Sequence, residues 1–137
     1  MILLFFFVFG GYMSTYDYED YVIRYGVEQP DGTKILKDSV KKYHGETRPL
    51  VYNYYKDGGT HIPDTSPENV IGMAQLENRD NGLYARCTLY DTPICSTIKE
   101  LGVENCIKGL TPFATIRRRD KRKVAIDRIL AIKVISK

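Results

Sequence analysis

Few side chains in this sequence are of a type that does acid–base, nucleophilic or metal chemistry at neutral pH. There are two histidines, His44 in KKYHGE and His61 in GGTHIPDT. Imidazole titrates near neutrality and is the side chain best suited to taking up a proton in a reaction. Three cysteines, Cys87, Cys95 and Cys106, are odd in number and show no CxxC spacing. That argues against a zinc site or a disulfide framework and for reduced, partly buried thiols. The stretch RPLVYNYYKDGG, 48–59, carries an apolar run into Asn53, Tyr54 and Tyr55 just ahead of a long polar loop. A strand tip of that kind is a place for a working side chain. A second concentration of chemistry is RRRDKRK, 117–123, with six basic residues and one acid. Its +5 leaves −2 for the rest of a chain whose total is +3, so one basic tip sits on a near-neutral body. A broad nucleic-acid face would spread its charge further. The chain contains no phosphate loop, HExxH, GxSxG or dinucleotide fingerprint, so neither a cofactor nor a metal site is expected.

The elements that must position these groups read mostly as strands. A chain of 137 residues with eleven tyrosines and no tryptophan is most simply one β-rich domain able to bury its own core. YVIRYGV, 21–27, alternates and runs into Gln29-Pro30-Asp31-Gly32, a strand and its turn. Asp38-Ser39 is placed to cap a short helix through Tyr43, and Leu50 to Tyr52 is the next strand. The loop from Lys56 to Asn69, roughly 14 residues, has the length at which loops are usually functional. In 69–92, two apolar-rich runs flank Asp80-Asn81-Gly82, a strong hairpin signal. Thr92 and Pro93 then start a helix whose Ile94, Ile98 and Leu101 form one stripe, with Gly102 at its end. GLTPFATI, 109–116, and VAIDRILAIKVI, 124–135, are two strands joined by the basic tip. In the last strand a strict period of two puts Arg128 on the apolar face with Val124, Ile126, Leu130, Ile132 and Val134. Either a bulge shifts the register there or a charge points inward. The expected architecture is mostly β (α+β), a closed or nearly closed barrel of six to seven strands with two short helices.

The apolar run from Ile2 to Phe9 is too short to span a bilayer and lacks the flanks of a signal peptide. Residues 1–12 are read as an upstream extension, with a first strand added to a sheet or to a neighbouring subunit as the alternative. Residues 13–137 form the domain, and no membrane association is expected.

One ordered set of segments goes further than composition. PLVYN, PENVIGMAQLEN, NGLYARCTLYDT, a helix, GLTPFA and a last apolar strand together resemble the prohead proteases of tailed bacteriophages, serine peptidases related in fold to the herpesvirus assembly protease. The resemblance covers roughly Tyr21 to Ile135, and the central hairpin with its DT-helix is its most specific part. It implies a herpesvirus-assemblin-like barrel, a general base at the position of Tyr54, a nucleophile at Thr111 of Gly109-Leu110-Thr111, and a third, orienting residue near Asp127-Arg128. It also implies a phage capsid or scaffold protein as partner and work in the host cytoplasm within the assembling head, or as a prophage-encoded cytoplasmic protein; a homo-oligomer is open as a further partner.

The residues at those positions depart from the family pattern in a direction unfavourable to catalysis. A phenol at Tyr54 is mostly protonated at pH 7 and makes a weak base where the family has histidine. Thr111 keeps a hydroxyl, but its β-methyl restricts χ1 and crowds attack. Pro112 removes the N–H that helps hold an oxyanion in some acyl-transfer sites. His61 is the imidazole that a loop could return to Thr111. Bland readings stand beside each of these: an exposed loop histidine, a strand threonine beside Phe113, two tyrosines half-buried at a strand end, and an Asp127–Arg128 ion pair at a sheet edge. His44 reads as a surface residue at the end of the short helix.

Two classes of function follow, a non-catalytic assembly or structural factor built on the peptidase barrel, and an active serine/threonine-type endopeptidase that trims scaffold or capsid chains. For the tip, Arg117, Arg118, Arg119, Lys121, Arg122 and Lys123 are expected either to keep a hairpin solvated or to dock an acidic partner, with a weak nucleic-acid contact as a further expectation.

Overall fold

Alternating apolar and polar residues build most of the chain into strands. In the computed structural model, which describes residues 16–28, 32–52 and 69–137, these are β1 (Tyr18–Arg24), β2 (Lys34–Ile35), β3 (Thr47–Val51), β4 (Val70–Arg79), β5 (Gly82–Leu89), β6 (Ile107–Asp120) and β7 (Lys123–Ser136). Two short helices, α1 (Pro93–Leu101) and α2 (Val103–Cys106), link β5 to β6. The apolar extension at 1–12, and Tyr54 and His61, lie outside the described residues.

The strands form one sheet in the order β1-β5-β4-β3-β7-β2, with β6 on the opposite edge of β7. Two short strands share the other edge of β7. Lys34 and Ile35 pair near its start, and Leu50 and Val51 pair near its end, both parallel. The sheet curls until β1 and β6 approach within 8 Å between Cα atoms, without pairing among the described residues. The fold is therefore mostly β, a nearly closed barrel with two short helices.

The central hairpin is as the sequence suggests, with Gly72 opposite Leu89 through to Arg79 opposite Gly82. Gly82 is needed for close approach: a Cβ there would overlap the Ile23 carbonyl and the Tyr21 ring, where β1 crosses it. Inward residues Ile23, Leu50, Ile71, Leu76, Leu83, Ile129 and Ile132 are fully buried and fill the interior.

Helix α1 begins as expected, with the Thr92 hydroxyl accepting from the Cys95 N–H at 3.3 Å and Pro93 in the first turn. The stripe holds for Ile98 and Ile94 and fails at Leu101, which is 61% exposed. Gly102, at φ +97, ends the helix there, and Val103 of α2 packs on the core in its place. The expected helix over 38–43 is instead two 3-10 turns, Lys37–Ser39 and Lys41–Tyr43. Ser39 caps nothing; its hydroxyl donates to the Leu36 carbonyl at 2.7 Å. The segment joins β2 to β3 along one edge of β7, and so has to stay tight.

The last strand solves the Arg128 problem with bulges. Pairing with β6 leaves Asp127 and Leu130 as extra residues on β7, and Lys108 and Arg117 as extra residues on β6. The inward set becomes Val124, Ile126, Ile129, Ile132 and Val134, and Arg128 is exposed. Between β2 and β3 the edge of β7 has no strand beside it, and side chains take over. The buried Tyr43 hydroxyl accepts from the Ile129 N–H at 2.9 Å and donates to the Asp127 carbonyl at 3.2 Å. Lys42 Nζ also donates to that carbonyl, at 2.9 Å, and Arg48 Nε donates to the Ile129 carbonyl at 2.7 Å.

Candidate functional site

Thr111 lies in the first half of β6. Leu110 points into the core and Ala114 packs against it, so the alternation of a strand turns Thr111, Phe113 and Thr115 outward. Thr111 is half-buried at the wall of a cavity of about 350 Å³ that also includes Pro112, Phe113, Ala114, Thr115, Leu130 and Lys133. The ladder sets Lys133 of β7 directly opposite Thr111, and Val51 of β3 beside Lys133. The row Val51–Lys133–Thr111 thus brings the tip of β3 within two strand spacings of the hydroxyl, roughly 10 Å. The strand tip and the Gly-Leu-Thr strand meet at one level of the barrel.

The other described candidates lie further off, Asp127 reaching the same cavity only through Thr115 at its other end. Asp127 is the bulge residue of β7, and its carboxylate accepts from Thr115 Oγ1 at 3.5 Å. Thr115 is four residues from Thr111, which is about 13 Å along a strand. His44 ends the second 3-10 turn, exposed, and its Nδ1 accepts from the Asn78 N–H at 3.0 Å. It lies near the far end of β4, whereas Thr111 is level with Val70 at the start of that strand. The separation along β4 is about 26 Å. Among the described residues the cross-strand neighbour of Thr111 is a lysine, whose ammonium form is a donor with no lone pair to take the hydroxyl proton. Pro112 supplies no N–H beside it.

The thiols offer no alternative nucleophile. Cys87 is buried, and burial, reinforced by the nearby carboxylates of Glu19, Asp17 and Asp20, pushes its pKa up to about 12. The buried Cys95 gives its S–H to the Ile71 carbonyl at 3.1 Å, and Cys106 is half-buried; all three are free. Among the described residues no group of histidines, cysteines and carboxylates converges on a metal position, and no helix is long and apolar enough to cross a membrane.

Two further polar regions matter, the first of which the sequence expectations did not include. On the outer face of β1, β5 and β4, the Arg79 guanidinium stacks 3.6 Å over the Tyr84 ring, and Tyr84 meets Tyr21 edge-on at 5.0 Å. Arg86 bridges Glu19 at 3.3 Å and Glu77 at 2.9 Å, and Arg79 holds Glu77 at 3.1 Å. The hydrogen bond from Arg79, with the charges of Arg79 and Arg86, keeps the Glu77 carboxyl below its ordinary range. Burial and the Glu19 hydrogen bond raise the Tyr84 phenol. The period-two spacing of Glu19 with Tyr21, Glu77 with Arg79 and Tyr84 with Arg86 was the available signal, but it becomes a network only once register is known. The second region is the basic tip. Arg117, Lys121, Arg122 and Lys123 are all exposed, and Lys34 of β2 is brought alongside Lys123.

Comparison with known proteins finds no matching family model, no similar curated protein and no similar solved structure.

Proposed function

We propose that this chain is a phage prohead-protease-like protein that acts in capsid assembly without cleaving peptide bonds, an assembly or capsid-associated factor that keeps a peptidase barrel and has lost the means to activate its hydroxyl. The ordered segments of the sequence and the nearly closed barrel support the ancestry; function has to be argued from the site. The observation that carries the non-catalytic reading is the surroundings of Thr111: Lys133 opposite it, Pro112 after it, and the Asp127 carboxylate engaged by Thr115 further along the strand. Among the described residues none of these groups is placed to accept its proton, and a hydroxyl without a proton acceptor is a poor nucleophile. Partners are then phage scaffold or capsid chains met in the host cytoplasm, in the assembling head.

The row Val51–Lys133–Thr111 favours one other reading, because it brings the strand that leads to Tyr54 and His61 up to the hydroxyl. On that reading the protein is an active endopeptidase, with Thr111 attacking and His61 as base. The two are separated by incubating purified protein with candidate scaffold and capsid chains and following their masses. The assembly reading expects intact chains with wild type, Thr111→Ala and His61→Ala alike. Cleavage by wild type that disappears in both variants would establish the peptidase.

A further inference from the structure

The β6–β7 tip holds more positive charge in space than in sequence. Lys34, from β2, pairs in register with Lys123, so two exposed lysines lie side by side on adjacent strands. Like charges placed opposite each other destabilise a sheet. Asp120 stands opposite Lys123 across the β6–β7 ladder and offsets part of that cost, but among the described residues no ion pair within 4 Å involves Lys34, Arg117, Lys121 or Lys123, so most of the charge is left to solvent. Asp120 is the one acid in the run 117–123. The tip is also held firmly. Arg122 lies across Gly32, where a Cβ would overlap its guanidinium, and donates to the Gly32 carbonyl at 3.2 Å. The Lys34 N–H donates to the Arg122 carbonyl at 2.7 Å. Lys121 takes φ +55 at the turn, a left-handed conformation that costs a lysine about 1 kcal/mol or more. Arg118 and Arg119 complete the run in sequence.

We propose that this tip is a contact surface for the phosphodiester backbone of nucleic acid, with Lys34, Arg117, Lys121 and Lys123 as the phosphate-binding side chains and Arg122 as the brace that holds them in place. The choice of phosphate over an acidic protein follows from what the tip lacks. A protein partner needs an apolar or aromatic centre from which water is excluded. From Arg117 to Lys123 there is no apolar residue, and the neighbouring exposed Ile116 stands alone. Affinity at this surface has to come from charge, and charge with counterion release is the source of essentially all non-specific nucleic-acid binding. With no aromatic ring at the tip, base stacking does not contribute and sequence preference is not expected. The inference does not rest on the peptidase ancestry, since it uses none of the residues around Thr111.

The test is fluorescence anisotropy with a fluorescein-labelled DNA duplex of about 20 base pairs at two salt concentrations. For about four phosphate contacts, affinity should fall roughly 100-fold between 50 and 200 mM salt. Lys34→Gln/Lys123→Gln should lower the slope of log K against log salt by about 2 while thermal melting changes little, because the Lys34–Lys123 repulsion and the Lys123–Asp120 attraction are lost together. Arg117→Gln/Lys121→Gln should act likewise on the slope. No binding at the lower salt, tighter binding of polyglutamate than of DNA, or a slope unchanged in both double variants would overturn the proposal.

Discussion

The outer face of β1, β5 and β4 and the β6–β7 ribbon are both rich in polar side chains, and they treat them in opposite ways. On the first, Arg24 reaches Asp20 at 3.8 Å, Arg79 reaches Glu77, Arg86 reaches both Glu19 and Glu77, and the rings of Tyr21 and Tyr84 lie among the guanidinium groups. Charges converge there and satisfy one another, so the face stabilises the sheet and offers little to a ligand. On the ribbon, polar groups are strung out along some 14 residues of strand: Thr111 opposite Lys133, Thr115 toward Asp127, and at the tip cations that, among the described residues, form no ion pair within 4 Å. Catalysis needs groups brought within hydrogen-bond reach of one reacting atom. Binding of a polyanion needs charge alone. The ribbon has what the second task requires and, among its described residues, not the first.

That contrast can be broken or sharpened by substitution. The largest effect is expected where the ribbon is braced from the side. Tyr43→Phe leaves the buried Ile129 N–H without its acceptor and should cost about 1–3 kcal/mol in urea unfolding. A loss below a few tenths would mean that the bulge is held by backbone geometry instead. On the paired face, Tyr84→Ala removes the ring between Arg79 and Tyr21 and should cost about 1–2 kcal/mol. Arg86→Gln should cost less, about 1 kcal/mol or under, because the pairs are partly exposed, and the loss should shrink in high salt.

The inner side of β1 and β5 sets a pH dependence. Tyr18 and Cys87 have pKa values pushed up to about 12, the first by burial and then Asp20, the second by burial and then Glu19. In the unfolded chain they ionise near their ordinary values of about 10 and 8.5. Above those values the unfolded state has lost protons that the folded state retains, so stability must fall as pH rises. Their contribution is complete below about pH 8, and it is lost from there through pH 12. Urea midpoints between pH 8 and 11 should decline in wild type and decline less in Cys87→Ala, once each is compared with its own value at pH 8. The smallest effect is at the tip, where Lys121→Gly relieves a left-handed lysine and should raise stability by up to about 1 kcal/mol while weakening DNA binding.

Local signals in the sequence were enough for the local elements. Asp80-Asn81-Gly82 between apolar runs is the β4–β5 turn, and Thr92-Pro93 is the start of α1, because both depend on a few neighbouring residues. The bulges of β7 were not legible in the same way. A period-two reading required either an inward Arg128 or a break, and what fixes the break is Tyr43, far away in sequence. The same holds for the sites. Thr111 was found through a resemblance, and its opposite number, Lys133, follows from a register that a sequence pattern does not contain. That Asp127 is the extra residue of a bulge and lies within 3.5 Å of Thr115 is likewise a matter of register that the sequence pattern does not contain. Lys34 is absent from any reading of the basic run because only the parallel pairing of β2 with β7 brings it there.

The proposal that Thr111 has no imidazole to activate it is tested most directly by following the ring proton shifts of His61 against pH by NMR, in wild type and in Thr111→Ala. The account predicts titration curves for His61 that superimpose in the two proteins. A midpoint displaced by half a unit or more on removal of the Thr111 hydroxyl would place the imidazole beside it and contradict the account.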